Sequence, residues 1–120
     1  MQELIDMFNN RLDLYDNEVT ILEENENLDP SIRRKLIREA LNSAVSLRLG
    51  LFQLRDYVDA LLFADMTDAT NVRKIASMFK DYLKSTDILQ SIAKEHDQES
   101  WPKVEAEATA VRNLVQGVGL

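Results

Sequence analysis

Residues 29–64 read DPSIRRKLIREALNSAVSLRLGLFQLRDYVDALLFA and form the longest regular pattern in the chain. Asp29 suits the N-cap of a helix, and Pro30 follows at the first helical position, where its missing N–H leaves no hydrogen bond unmade. Apolar residues then recur in steps of three and four, which places them on one face of a helix. They are Ile32, Leu36, Ala40, Ala44, Leu47, Leu51, Leu54, Val58 and Leu61, and Leu41, Val45, Leu49 and Leu62 widen the face. This segment therefore predicts one helix over residues 30–64, against which the rest of the chain packs.

Three further helices are predicted around this segment, over about residues 2–24, 68–95 and 101–116. Each carries an apolar stripe with the same three-and-four spacing, and Trp101-Pro102 marks the start of the last. The stripes are Leu4, Phe8, Leu12, Tyr15, Val19 and Leu22; then Val72, Ile75, Phe79, Tyr82 or Leu83, Thr86, Leu89 and Ala93; then Trp101, Val104, Ala108, Val111, Val115 and Val118. Because the connections are short, residues 1–120 are expected to form one all-α domain, an up-down-up-down four-helix bundle.

The chain contains few of the residue types that catalytic and metal sites usually require. The chain has no cysteine and a single histidine, His96, placed in a predicted turn, and it contains no glycine-rich phosphate loop. The predicted apolar stripes contain no acid and no histidine, so they offer no buried carboxylate for catalysis or for a di-iron site. The chain is therefore expected to have no enzymatic activity, no cofactor and no metal.

The charge of the chain limits its partners. The net charge is −7, which argues against nucleic acid as a partner, and the apolar runs are too short to span a bilayer. A protein partner, with at most a peripheral position at a membrane, is the remaining expectation.

The charges are also unevenly distributed. The segment 1–29 holds nine acids and one base, whereas Arg33, Arg34, Lys35 and Arg38 crowd the first turns of the second helix. The acids in the last turns of the first helix and the bases in the first turns of the second are each unfavourable for the dipole of their own helix. One interpretation is therefore that the two clusters form ion pairs with each other across the turn. The other is a basic docking patch for an acidic partner.

Trp101 is the one aromatic residue that combines a large ring with a polar N–H at the start of a helix. Either it closes the end of the core with its N–H at the surface, or it is an exposed anchor in an interface.

From Leu54 onward the chain resembles the PsbQ-like extrinsic proteins of photosystem II. The residues that carry the resemblance are Leu54-Arg55, Leu61-Leu62 with Asp65, Ala69, Ala76, Phe79, Leu83, Asp87, the turn holding Asp97 and an aromatic residue, Ala108, and Leu114-Val115. The resemblance implies a four-helix bundle without cofactors, located in the thylakoid lumen. There it would dock on core subunits, stabilise the oxygen-evolving centre and help to retain its calcium and chloride. Arg33, Arg34, Lys35, Arg38 and Trp101 are the docking residues expected on this interpretation.

The alternative is a cytosolic helical interaction module that acts as an adaptor, a chaperone or an inhibitor. Leu41, Leu49 and Met78, at the edges of the apolar stripes, would then form the partner surface. A lumenal protein requires a cleaved leader, whereas a cytosolic module is expected to begin at Met1.

Overall fold

The computed structural model describes the backbone of residues 1–117 and the side chains of residues 1–113. Within that range the chain is all-helical, with four helices and no strand: α1 (Gln2–Glu24), α2 (Pro30–Phe63), α3 (Ala69–His96) and α4 (Trp101–Gly117). The prediction of an all-α chain with four helices is confirmed there, and the helix ends differ by one residue at most from those expected. The expected stripe positions Val115 and Val118, and Leu114 of the resemblance, have side chains outside the described residues.

Side-chain caps begin the two long helices. The Asp29 carboxylate accepts a hydrogen bond from the backbone N–H of Ser31 at 2.9 Å, and Asp68 accepts one from Thr70 at 2.9 Å. Each cap satisfies one of the N–H groups that a helix start leaves without an internal partner. The caps therefore place the starts of α2 and α3.

A Schellman motif ends α2. Asp65 adopts a left-handed conformation with φ 56°. Its N–H donates to the carbonyl of Leu62 at 3.1 Å, and the N–H of Met66 donates to the carbonyl of Leu61 at 2.8 Å. These two bonds satisfy carbonyl groups at the helix end and hold the turn in one geometry.

The α2–α3 pair forms the centre of the molecule. α1 packs on both of these helices, and α4 packs on α3 and over a shorter length on α2. Within residues 1–117, α1 and α4 do not contact each other, so they lie on opposite sides of the central pair. Helices that follow one another in the chain are antiparallel where they meet. The contacts that show this are Phe8–Gly50 and Glu18–Ser43 between α1 and α2, Arg33–His96 and Phe52–Phe79 between α2 and α3, and Tyr82–Glu107 and Lys94–Trp101 between α3 and α4.

The buried faces agree with the predicted stripes in the middle of each helix and differ near some ends. In α1 the first buried position is Ile5 rather than Leu4, and in α2 the buried face begins at Arg33 and Ile37 rather than at Ile32. Leu49 and Leu62, expected to widen the face of α2, are exposed. The predicted stripes took consecutive steps of four at these ends, whereas the buried residues keep alternating steps of three and four.

Aromatic rings fill the centre of the core. The rings of Tyr15 and Tyr82 stack with centroids 5.7 Å apart, and those of Phe52 and Phe79 meet at 5.6 Å. Gly50 explains the close approach of α1 to α2, because a β-carbon there would lie 2.5 Å from a ring atom of Phe8. A glycine in mid-helix costs about 1 kcal/mol relative to alanine, and here its missing side chain makes room for that ring.

Candidate functional site

Arg33, one of the four expected docking cations, is buried. Its Nη2 donates to the backbone carbonyls of Glu26 at 2.6 Å and Asn25 at 3.3 Å, just beyond the end of α1, and its Nη1 lies 3.1 Å from His96 Nδ1. The guanidinium therefore binds carbonyl oxygens beyond the negative end of the α1 dipole, where cations are favoured. Within this geometry Arg33 is not available to an external partner.

Arg38 also has partners within the chain. Its Nε donates to Asp97 Oδ2 at 3.1 Å, and its Nη2 lies 3.4 Å from Glu99. Burial works to raise the pKa of Asp97, but hydrogen bonds from Arg38 and Ser100 outweigh it and hold that pKa below its ordinary value. Arg38 thus ties α2 to the α3–α4 turn rather than to the acids at the end of α1.

Arg34 and Lys35 remain as exposed cations. Within the described residues neither forms an ion pair with an acid, so their charges face solvent. No ion pair among the described side chains joins the basic cluster to the acids of residues 1–29. Arg33 does reach across the turn, but it binds backbone carbonyls there. A basic surface is left at Arg34 and Lys35.

Trp101 is partly buried against the core, with Lys94 Nζ 5.4 Å from its ring centroid. Its Nε1 is buried and makes no hydrogen bond within the described residues, where a position at the surface was expected. The ring therefore packs on the core at the start of α4, beside Lys94 of the last turn of α3. The burial of the N–H differs from the prediction.

A buried polar cluster, which the pattern of apolar residues did not predict, joins three helices. Glu107 on α4 accepts hydrogen bonds from Arg48 of α2, with Nε to Oε2 at 2.5 Å and Nη2 to Oε1 at 3.1 Å. The hydroxyl of Tyr82 on α3 lies 3.2 Å from Glu107 Oε2 and 3.1 Å from the carbonyl oxygen of Ala44. Burial raises the pKa of Tyr82, so its hydroxyl stays a donor. The signal for Glu107 was its place beside Val104 and Ala108 on the inner face of α4.

A second buried chain of hydrogen bonds continues this cluster to α1. The Thr86 hydroxyl donates to the carbonyl of Tyr82 at 2.8 Å and lies 2.8 Å from the hydroxyl of Tyr15. Because Thr86 has one proton, Tyr15 is the donor in their contact. Burial also raises the pKa of Tyr15. All four helices are therefore linked through polar groups in the core.

The expectation that the inner faces contain no acid is wrong, since Glu107 lies on one of them. Both of its carboxylate oxygens are nevertheless engaged by Arg48, which makes it a structural ion pair rather than a free general base. Within residues 1–117 no three acids or histidines are grouped so that they could hold a metal ion.

Among residues 1–113, the two most exposed large apolar side chains lie at the α2–α3 turn. Phe63 is 94% exposed and Met66 is 72% exposed, and Leu62 beside them is also exposed. We call these three residues the turn cluster. The partner surface expected from the sequence is different, since Leu41 and Met78 are buried and only Leu49 is exposed. The sequence did not predict the turn cluster, because an apolar residue at a helix end is assigned to the core when it is not known whether another helix covers it.

None of the helices within residues 1–117 combines the length and the apolar composition that crossing a bilayer requires. No family model, no curated protein and no solved structure matches the chain.

Proposed function

We propose that this chain is a non-catalytic protein-binding subunit that docks through the turn cluster Leu62, Phe63 and Met66. The helices are inferred to form an up-down-up-down four-helix bundle, in which α2 and α3 are central and their connecting turn projects from one end. The antiparallel contacts between successive helices support that arrangement. The bundle serves as a rigid support for its exposed end.

The observation that carries the proposal is the exposure of Phe63 on an ordered turn. An aromatic side chain that is almost fully exposed gains free energy when a partner buries it, and large aromatic residues dominate many interfaces. The Schellman motif holds the backbone on either side, so little conformational entropy is lost on binding. Phe63 therefore has the properties of an anchor residue for an apolar pocket on another protein.

A photo-crosslinking experiment tests this proposal. Phe63 is replaced by the photoreactive analogue benzoylphenylalanine, and Leu49, an exposed apolar residue of α2 outside the turn cluster, is replaced as the matched control. After irradiation in extract of the organism that encodes the chain, we expect a discrete crosslinked species from position 63 and none from position 49. No crosslink at 63, or the same species from both positions, would contradict docking through the turn cluster.

A second candidate specifies the partner as photosystem II, as implied by the resemblance to PsbQ-like extrinsic proteins. On this proposal the chain sits on the lumenal face, peripheral to the membrane, and stabilises the oxygen-evolving centre and its ion retention. The exposed cations Arg34 and Lys35 support it, because they supply a charged surface for acidic loops of core subunits. Arg33 and Arg38 would contribute little directly, since both have partners within the chain. The rival location is the cytoplasm, with an adaptor-like role.

Binding to salt-washed photosystem II membranes tests the second candidate. We expect saturable binding that salt releases, restored oxygen evolution, and a loss of both when Arg34 and Lys35 are replaced by glutamate. The control matched in net charge replaces two exposed cations of α3 in the same way, Arg73→Glu together with Lys80→Glu. If the wild-type chain fails to bind at low salt, or if the double variant binds as well as the control, this candidate is rejected.

A further inference from the structure

The outer face of α1 carries a second apolar stripe that no other helix covers within the described residues. Leu4, Met7, Leu14 and Ile21 are all exposed, and Leu14 is 64% exposed. Met7, Leu14 and Ile21 are seven residues apart, which is the repeat of a helix-pairing seam. We call Leu4, Met7, Leu14 and Ile21 the outer stripe. It shares no residue with the turn cluster.

The charges inside the outer stripe are arranged symmetrically about Leu14. Arg11 lies three residues before Leu14 and Glu18 lies four residues after it, and they are the only base and the only acid at the seam positions 4, 7, 11, 14, 18 and 21. A twofold axis through Leu14 pairs Met7 with Ile21 of a second copy. It also brings Arg11 to within one residue, about 1.5 Å along the axis, of Glu18 of that copy. The surface is therefore complementary to itself, as an interface between identical subunits must be.

We propose that a second copy of this chain docks on the outer stripe, with the two α1 helices antiparallel and related by a twofold axis at Leu14. The contact has an apolar seam of Met7, Leu14 and Ile21, flanked by two reciprocal ion pairs between Arg11 and Glu18.

The surroundings of the stripe favour this occupant. Asn10 and Asn17, on the solvent side of the seam, are uncharged on a helix that is otherwise rich in acids, and the twofold axis places one near the other. On the opposite side, Ser43 and Ser46 of α2 line an open groove of about 410 Å³ beside Leu14. Small side chains there leave room for a second helix. Within the described residues neither Arg11 nor Glu18 forms an ion pair. Arg11 lies 5.4 Å from the centroid of the Phe8 ring and Glu18 accepts a hydrogen bond from Ser43 at 3.1 Å, so each charge still lacks a partner of opposite sign.

The proposed contact is small. The outer stripe extends over about 26 Å of helix, and a contact of one helix pair buries less than the roughly 800 Å² per subunit of a standard interface. Glu3 of one copy also approaches Glu24 of the other at the two ends, which opposes association. The dimer is therefore expected to be weak and to form in a concentration-dependent manner.

Charge reversal provides the test, with sedimentation equilibrium as the readout and circular dichroism as the check of folding. We expect the wild-type chain to dimerise, and Arg11→Glu alone and Glu18→Arg alone each to weaken dimerisation at least tenfold. When these two variants are mixed, we expect them to form a heterodimer, because every pair across the interface then has opposite charges. The double variant R11E/E18R is expected to dimerise like the wild-type chain.

Two further variants separate this surface from the turn cluster. Leu14→Glu places two like charges at the twofold axis and is expected to abolish the dimer, whereas Phe63→Ser is expected to leave it unchanged. A wild-type chain that stays monomeric at every concentration overturns the proposal. It is also overturned if the single charge reversals dimerise like the wild type, if the mixed variants fail to associate, or if Phe63→Ser dissociates the dimer.

Discussion

Arg48 on α2 and Glu107 on α4 form a bidentate ion pair, with nitrogen–oxygen distances of 2.5 and 3.1 Å. The hydroxyl of Tyr82 contacts both of these helices beside the pair, at Glu107 and at the carbonyl oxygen of Ala44. The side chains are 20% and 11% exposed, so water screens the pair only in part. Since α4 contacts α2 over a short length, this pair is a substantial part of the contact between these two helices.

Glu107→Ala is expected to lower the free energy of unfolding by about 2 kcal/mol, because it leaves the Arg48 guanidinium without its buried partner. Replacing both residues by methionine removes the charge together with its partner and is expected to cost less than Glu107→Ala. Urea unfolding of the two variants and the wild type measures the difference. If the double variant is less stable than Glu107→Ala, the attraction within the ion pair contributes more to stability than an unpaired Arg48 costs.

Gly50→Ala is expected to destabilise the protein by about 1 kcal/mol. Alanine gains about 1 kcal/mol of helix propensity, but the new β-carbon meets the Phe8 ring, and overpacking of this kind costs 1–3 kcal/mol. Shortening the neighbour in Phe8→Leu/Gly50→Ala removes the conflict, so the two changes should cost less together than the sum of their separate effects. Additive losses in thermal unfolding would argue against a direct contact.

Asp65→Gly is expected to stabilise the protein by about 0.5–1 kcal/mol, since glycine adopts the left-handed conformation without the steric cost of a β-carbon. Asp65→Ala keeps the β-carbon and serves as the control, for which no gain is expected. Chemical unfolding of both variants decides the point. Equal stability of the glycine and alanine variants would mean that the Asp65 carboxylate, and not its backbone, determines the effect of substitution.

The pH dependence of stability is expected to pass through a maximum at mildly acidic pH. Burial raises the pKa values of Asp16 and Glu18, so the folded state takes up protons at these sites more readily and is stabilised as pH falls from 7. Hydrogen bonds from Ser31 lower the pKa of Asp29, and that of Asp97 is also lowered. The stability from these two acids is present above the ordinary aspartate pKa of 3.8 and is lost as pH falls through their folded values.

Urea unfolding at a series of pH values measures this profile. Asp97→Asn is expected to reduce the loss at low pH, and Asp16→Asn is expected to reduce the gain between neutral and mildly acidic pH. A stability that falls steadily from pH 7 downward would contradict the assignment of raised pKa values to Asp16 and Glu18.

Local signals in the sequence were sufficient to locate the helices. Asp29 and Pro30 place the start of α2, Pro102 places the start of α4, and the three-and-four spacing carries each helix through its length. These signals depend on neighbours within a few residues, so they are visible without the fold. The middle of each buried face could be predicted for the same reason, since it follows the period of the helix.

The role of individual side chains was decided by neighbours that are distant in the sequence. Arg33 could not be assigned to the carbonyls of Asn25 and Glu26 from its charge, and Glu107 could not be placed in the core, because each depends on which helix end or guanidinium lies opposite.

The sequence by itself therefore determined the number and extent of the helices and the middle of each buried face, through caps and periodicity. Only the tertiary structure decided which apolar residues stay exposed, as at Phe63 and Leu14, and which charges are buried. The physical reason is that the burial and the ion pairing of a side chain depend on which residues of other helices lie opposite it. Those neighbours are set by the packing of all the helices together.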